Sequence, residues 1–308
     1  MTETILKIGA RGSPLSLAQT GLVARALEEA NPGLRTEILP IKTTGDKILD
    51  TPLAQIGGKG LFVKEIEEAL LDGRIDLAVH SAKDMPADLP EGLVIGAVPE
   101  RADFRDVLIT RHPGGWAALP QGARVGTSGL RRQAQLLAAR PDLVVAPIRG
   151  NVATRLKKLE NEFEATLLAA AGLNRLGLEP DNAEFLPPEI MLPSSGQGSL
   201  ALEIRADNRR VREFLAPINH RPTALALAAE RGFLRRLGSS CQLPVAALAQ
   251  WLEGTMSLDG LIASPDGGQV LRDRQTTELD SIEAAANFGQ SLAGDLLGRG
   301  GEKLIPIC

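Results

Sequence analysis

The sequence predicts an α/β protein in which two doubly wound domains flank a cleft and a small C-terminal α+β domain follows. Three observations carry that expectation. A chain of 308 residues exceeds what one hydrophobic core usually serves, and 44% hydrophobic residues supply apolar mass for several. Strand-like apolar runs alternate with helical spacings through most of the chain, the mark of βαβ units and a parallel sheet. Near the carboxyl end the order changes to a helix, three strand-like segments and a helix, which reads as a separate arrangement of layers.

Taken in order, residues 4–9 read as the first strand. Ser13-Pro14 then supplies an N-cap with proline at the first helical position, and Leu15, Ala18, Leu22, Ala26 and Ala30 follow at helical spacing. Residues 35–41 return as a strand. The spacing predicts a second helix over 61–71, with Phe62, Ile66, Ala69 and Leu70 inward. A buried strand over 75–80 then delivers Ser81-Ala82-Lys83-Asp84-Met85-Pro86 into a loop. The pattern breaks at Val98-Pro99-Glu100-Arg101. A fresh set begins with strand 123–126, helix 130–139, strand 143–147, helix 152–159 and strand 166–170. Residues 186–190, rich in proline, are the stretch that returns the chain to the first domain. Helix 223–237, a loop holding Cys241, three strands between 244 and 278, and helix 281–297 complete the chain.

Charge sharpens the functional classes. A net charge of -4 argues against general nucleic-acid binding, which rests on a basic face. Yet 25 of the 34 basic residues are arginine, and several stand at loop-to-helix junctions: Arg11-Gly12-Ser13, Gly126-Thr127-Ser128-Gly129-Leu130-Arg131-Arg132, and Arg149-Gly150-Asn151-Val152-Ala153-Thr154-Arg155. Guanidinium offers a planar fork of donors that matches a carboxylate two-for-two, so a focused positive pocket for a polyanionic small molecule is expected. The amino-terminal stretch has no basic region followed by a long apolar run. The longest apolar runs fall far below the ~20 residues of a membrane helix, so a cytoplasmic protein without membrane association is expected. Cys241 and Cys308 lie in no metal-ligand spacing, and His80, His112 and His220 form no catalytic pattern. No metal is expected, and the histidines read as structural. No heptad or apolar stripe demands a partner, and a monomer is expected.

Each motif also has a plain structural reading. Arg131 and Arg132 in a first helical turn oppose the macrodipole; an anionic ligand would resolve the conflict, and so would simple solvation of an exposed pair. The repeated pattern at Arg149 and Arg155 favours a ligand. Arg175 taken alone is equally a surface arginine on a short helix. Asp84 is either a turn-forming aspartate or a carboxylate that steadies a transient cation among arginines. Cys241, among Gly238-Ser239-Ser240 and Gln242-Leu243-Pro244, is either a small buried hydrophobe or an accessible thiol able to carry a covalent group. Gly57-Gly58-Lys59-Gly60 lacks the P-loop spacing and reads as a flexible loop over the cleft, from which Lys59 could cover an anion. A non-catalytic two-lobed protein binding a dicarboxylate or oxyanion would use the same arginines, although it has no use for Cys241.

Together these segments resemble the porphobilinogen deaminase (hydroxymethylbilane synthase) family of tetrapyrrole and heme biosynthesis. The resemblance runs through Arg11-Gly12-Ser13-Pro14-Leu15, Gly45-Asp46, Gly57-Gly58-Lys59-Gly60-Leu61-Phe62, Asp76-Leu77-Ala78-Val79-His80-Ser81-Ala82-Lys83-Asp84, both arginine motifs, Gly196-Gln197-Gly198 and the cysteine loop. It implies three domains, the first two similar to periplasmic binding proteins: residues 1–99 with 197–217, residues 100–196, and residues 218–308. It implies a transferase that condenses four porphobilinogen molecules head to tail, with loss of ammonia through an electrophilic azafulvene, on a dipyrromethane cofactor. That cofactor would be held by a thioether to Cys241 and bound by Lys83, Arg131, Arg132, Arg155, Ser13, Thr127 and Ser128. Substrate contacts would fall on Arg11, Arg149, Arg175, Lys59, Phe62 and Ser81, and the catalytic aspartate on Asp84. Three departures stand out: Gly129 where many members have serine, Ala153 where glycine is frequent, and Ser239-Ser240 where a glycine pair is expected.

Overall fold

The computed structural model describes residues 4–44, 63–238, 243–252 and 254–305. In chain order its first elements are β1 (Thr4–Arg11), α1 (Pro14–Ala30), β2 (Leu34–Ile41), α2 (Lys64–Leu71), β3 (Leu77–Ser81), β4 (Leu93–Ala97), β5 (Asp106–Thr110), β6 (Arg124–Gly126) and α3 (Leu130–Ala139). Then come β7 (Val144–Ala146), α4 (Val152–Lys158), β8 (Ala165–Ala169), α5 (Ala170–Leu176), β9 (Ala183–Leu186), β10 (Leu200–Arg205) and α6 (Arg209–Leu215). The chain closes with α7 (Arg221–Arg236), β11 (Val245–Leu252), β12 (Thr255–Ala263), β13 (Val270–Thr277) and α8 (Ile282–Gly298). Two compact units result: Met1–Arg101 with Ser199–Leu225, and Ala102–Gly198 with Ala226–Cys308.

In the first unit the sheet runs β2-β1-β3-β10-β4. Ser13 caps α1 by accepting from the Ser16 amide at 3.3 Å, and Pro14 needs no partner for a donor it lacks. The helix then lays Val23, Ala24 and Leu27 against Leu6, Ile8, Leu77, Val79, Leu202 and Ile204 on one face of the sheet. Ile66, Ala69 and Leu70 of α2 cover the other face with Ile75, Ala78 and Leu93. Both faces are therefore dry, which is why β3 is an apolar run rather than an alternating one. Of the helix expected over 61–71, residues 61 and 62 lie outside the described residues.

The second unit carries a sheet of order β7-β6-β8-β5-β9. Leu136 of α3 packs on one face with Leu108, Val125, Leu143 and Leu167; Leu156 of α4 and Leu173 of α5 pack on the other with Val107, Ile109 and Phe163. The sheets expected to be parallel are mixed. In the first, β10 runs antiparallel to β3 and β4; in the second, β5 runs antiparallel to β8 and β9. The cause lies in connectivity: each of these strands is the first after the chain passes between units. It arrives without the crossover helix that makes a neighbour parallel.

The C-terminal strands form an antiparallel meander, β11-β12-β13, in full register from Val245↔Ile262 to Ala263↔Val270. Helices α7 and α8 touch backbone to backbone, since a Cβ at Gly289 would stand 1.9 Å from the Ala229 carbonyl oxygen. Ala246, Leu248, Leu261 and Ala263 of the meander share a core with Ala134 of α3 and Leu192, which places this sheet in the second compact unit.

Candidate active site

The first unit gathers Arg11, Ser13, Ser81, Lys83 and Asp84 on segments that leave the sheet at β1 and β3. Arg11 is the last residue of β1, and Ser13 is committed to its cap. Ser81 ends β3 and exchanges hydrogen bonds with the Gln19 side chain of α1, at 3.0 Å and 3.2 Å. A single 3-10 turn, Ala82–Asp84, follows. Its backbone is fixed by main-chain bonds: the Ala82 amide donates to the Ser199 carbonyl at 3.0 Å and the Met85 amide to the Ala82 carbonyl at 3.3 Å. Asp84 itself is exposed. Lys59 and Phe62 lie outside the described residues.

The second unit gathers Thr127, Ser128, Arg131, Arg132, Arg149, Arg155 and Arg175. Gly126-Thr127-Ser128-Gly129 turns the chain from β6 into α3, whose N-cap, Gly129, contributes no side-chain bond. The Ser128 hydroxyl donates to the Ile148 carbonyl at 2.7 Å and accepts from the Ile148 amide at 3.1 Å, so it ties the two arginine loops together. Thr127 is buried and accepts from the Gly129 amide at 3.3 Å.

The conflict between Arg131, Arg132 and the helix dipole is resolved from inside the protein. Asp106, the first residue of β5, is 0% exposed. Its Oδ2 accepts from Arg131 Nη1 at 2.8 Å, and its Oδ1 accepts from Arg132 Nη2 at 2.6 Å and Nε at 2.9 Å. Arg131 Nη2 donates to Asp106 Oδ1 at 3.3 Å, Arg131 Nη1 also reaches the Leu192 carbonyl at 2.7 Å, and Arg132 Nη1 reaches the Leu167 carbonyl at 2.8 Å. Burial alone would raise the Asp106 carboxyl; the two adjacent guanidinium charges and their hydrogen bonds outweigh it and hold the group well below the usual carboxylate range. Asp106 escaped the sequence reading. Its signal was an aspartate heading an otherwise apolar strand, a place where only a cationic partner makes a carboxylate tolerable.

Arg149, Arg155 and Arg175 complete the set. Gly150, at φ 113°, occupies a backbone conformation that a side chain strains, and a Cβ there would meet Thr154 at 2.5 Å. That turn lets Asn151 cap α4 by accepting from the Thr154 amide at 2.9 Å and lets Arg155 Nε reach back to the Gly150 carbonyl at 2.9 Å. Desolvation, followed by the charges of Arg132 and Arg149, pulls the Arg155 guanidinium below the usual arginine range. Two further positive groups thus act on Arg155, one of which, Arg132, is also paired with Asp106. Arg175 in α5 donates to the Gly198 carbonyl at 2.7 Å, and burial brings it down to about 10. Cys241, Ser239 and Ser240 lie outside the described residues, and no helix among the described ones is long and apolar enough to cross a membrane.

Comparison with known proteins covers nearly the whole chain. Residues 6–213 match the family described as "Porphobilinogen deaminase, dipyromethane cofactor binding domain", and residues 224–298 match "Porphobilinogen deaminase, C-terminal domain". The chain is 49% identical over 306 residues to a porphobilinogen deaminase of Syntrophobacter fumaroxidans, covering 99% of this chain and 98% of that one. It is 51% identical over 306 residues to another from Syntrophotalea carbinolica, at 99% and 96% coverage. Among solved structures, an ancestral cationic amino acid solute binding protein superposes with a TM-score of 0.44 at 12% identity, over 69% of this chain and 87% of that one. The fold described above rests on the strand order of this chain alone.

Proposed function

The chain belongs to the porphobilinogen deaminase family, and from that premise we propose how its own residues carry out the reaction. It is a transferase, hydroxymethylbilane synthase, that joins four porphobilinogen molecules head to tail with release of ammonia on a dipyrromethane cofactor. The observation that supports the residue assignment is the placing of Arg132 and Arg149 close enough to buried Arg155 for their charges to act on it. A dipyrromethane bears acetate and propionate groups, and guanidinium forks backed by Thr127 and the free amides at the start of α3 are the donors such groups require. The donor set therefore fits the cofactor. When bound, the cofactor supplies the pyrrole α-carbon to which the first substrate is joined.

In this reading Lys83, Arg131, Arg132, Arg155, Ser13, Thr127 and Ser128 hold the cofactor's carboxylates, and Arg11, Arg149 and Arg175 hold those of the substrate, with Lys59, Phe62 and Ser81 beside them. Fixing both partners through their acid groups makes carbon-carbon bond formation effectively unimolecular. Asp84 accepts pyrrole N-H hydrogen bonds and stabilises the positive charge that develops on the rings. The chain leaves this carboxylate exposed, so the bound rings themselves must remove water from it. Cys241 is assigned the thioether.

Intact mass tests the assignment. The native protein is expected to exceed its sequence mass by two linked pyrroles and to colour with acidic p-dimethylaminobenzaldehyde. Cys241→Ser is expected to show the sequence mass alone and no turnover, and an active, adduct-bearing serine variant would contradict it. We also propose a cytoplasmic monomer and a division at residues 1–99 with 197–217, 100–196 and 218–308. The separate sheet in each stretch supports that division. The third falls into one compact unit with the second because its sheet shares a core with α3.

A further inference from the structure

Beneath the strand end that bears Ser81, Lys83 and Asp84 lies a buried ionisable cluster that none of the roles above uses. Glu67 of α2 is 7% exposed, His80 of β3 5% and Glu203 of β10 0%. The antiparallel register, Ala201↔His80 and Glu203↔Ala78, puts His80 and Glu203 on the face of the sheet that α2 covers. There His80 Nε2 meets Glu203 Oε2 at 2.9 Å. Two carboxylate oxygens in this pocket, Glu67 Oε1 and Glu203 Oε1, are buried without a hydrogen-bond partner.

We propose that Glu67, Glu203 and His80 form a positioning unit in which buried Glu67 is kept as the neutral acid beside the His80–Glu203 pair, fixing the end of β3 and with it the turn that carries Lys83 and Asp84. A second carboxylate beside the His80–Glu203 pair would leave uncompensated negative charge among Ile66, Ala69, Leu70, Ile75 and Leu93. A proton on Glu67 removes that charge.

The charged groups of the elements packed around the pocket do not supply a substitute. β1 carries Lys7 and Arg11 on this face, beside Gly9, whose neighbours are Ile75 and Ile41. β10 carries Arg205, whose Nη1 is engaged with the Leu70 carbonyl at 2.8 Å. β4 bears no charged residue, and on α2 itself Lys64 pairs with Glu68 in solvent. The charges felt at Glu67 are those of Glu203 and His80; burial pushes its carboxyl up to about 7, with Glu203 acting in the same direction and His80 against it. Nor is this an ion site, since no group of three or more His, Cys, Asp or Glu among the described residues is placed to hold a metal.

The test is Glu67→Gln, which keeps the shape and the donor of the protonated acid. A carboxyl raised on folding binds its proton more tightly in the folded chain, so its stabilisation is complete below its unfolded value and is lost as pH rises through the folded one. The melting temperature of wild type is therefore expected to fall relative to E67Q by about 5 °C between about pH 5 and about pH 8. Wild type is also expected to show an infrared band of a protonated carboxyl that E67Q lacks and that alkali removes. Turnover of E67Q relative to wild type is expected to rise with pH. This last readout rests on the role given to Asp84; the melting and infrared measurements do not involve pyrroles, so failure of either reading is visible separately. A constant difference in melting temperature across that range, or a wild type without the band, overturns the proposal. The infrared titration of wild type decides it if E67Q does not fold.

Discussion

Asp84→Asn is expected to keep its covalent pyrroles and lose at least about 100-fold in turnover, the scale on which an aimed electrostatic stabiliser acts. Two features of the turn make this a clean experiment. The carboxylate is exposed, and the bonds that fix its backbone, Ala82 to Ser199 and Met85 to Ala82, do not involve the side chain. The variant should therefore melt with wild type, and any loss is chemical rather than structural. Asparagine still offers an oxygen to a pyrrole N-H, so binding is retained in part while the charge that steadies the cationic ring is gone. The loss should fall on kcat more than on KM. Single-turnover assays on the adduct-loaded protein check this, and turnover within 10-fold of wild type, taken as about one order of magnitude, would remove Asp84 from the reaction.

How far the sequence foretold the molecule depended on how local each signal was. Helix 130–139 was read to the residue because its spacing starts sharply after Gly126-Thr127-Ser128-Gly129, and β6, β7 and β8 followed from the alternation around it. Strands β5 and β10 were missed for one physical reason. Each is an apolar run carrying a carboxylate, Asp106 or Glu203, which local patterning reads as an interruption. What makes those carboxylates tolerable is distant: Arg131 stands 25 residues from Asp106, and His80 stands 123 residues from Glu203. Periodicity sees three or four residues ahead and cannot register such partners. The arginine motifs were legible as anion-seeking groups because helix starts are local. That Arg131 and Arg132 already answer to an internal carboxylate was not.

Asp106→Asn should accordingly be the most destabilising single change in the arginine-bearing unit. It leaves Arg131 and Arg132, with side chains only 10% and 12% exposed, facing an amide in place of the charge that balances them. Removing one partner of a buried ion pair costs about 3–5 kcal/mol, because the remaining charge stays buried and uncompensated. Arginine does not shed its proton to escape that cost. Denaturant unfolding at neutral pH measures the loss. Since the folded carboxyl is held below its usual range, the stabilisation is present above ordinary carboxylate values and lost as pH falls beneath them, so wild type and variant should converge in acid. The function should suffer separately from the fold. With Asp106 in place, Arg131 and Arg132 are presented as a rigid pair whose net charge is reduced to one, and a carboxylate ligand meets donors already aimed. Without it the arms are free to swing toward any anion, so the fraction of folded protein carrying the pyrrole adduct should drop. A variant as stable and as fully loaded as wild type would mean that the ligand, not Asp106, orders this pair.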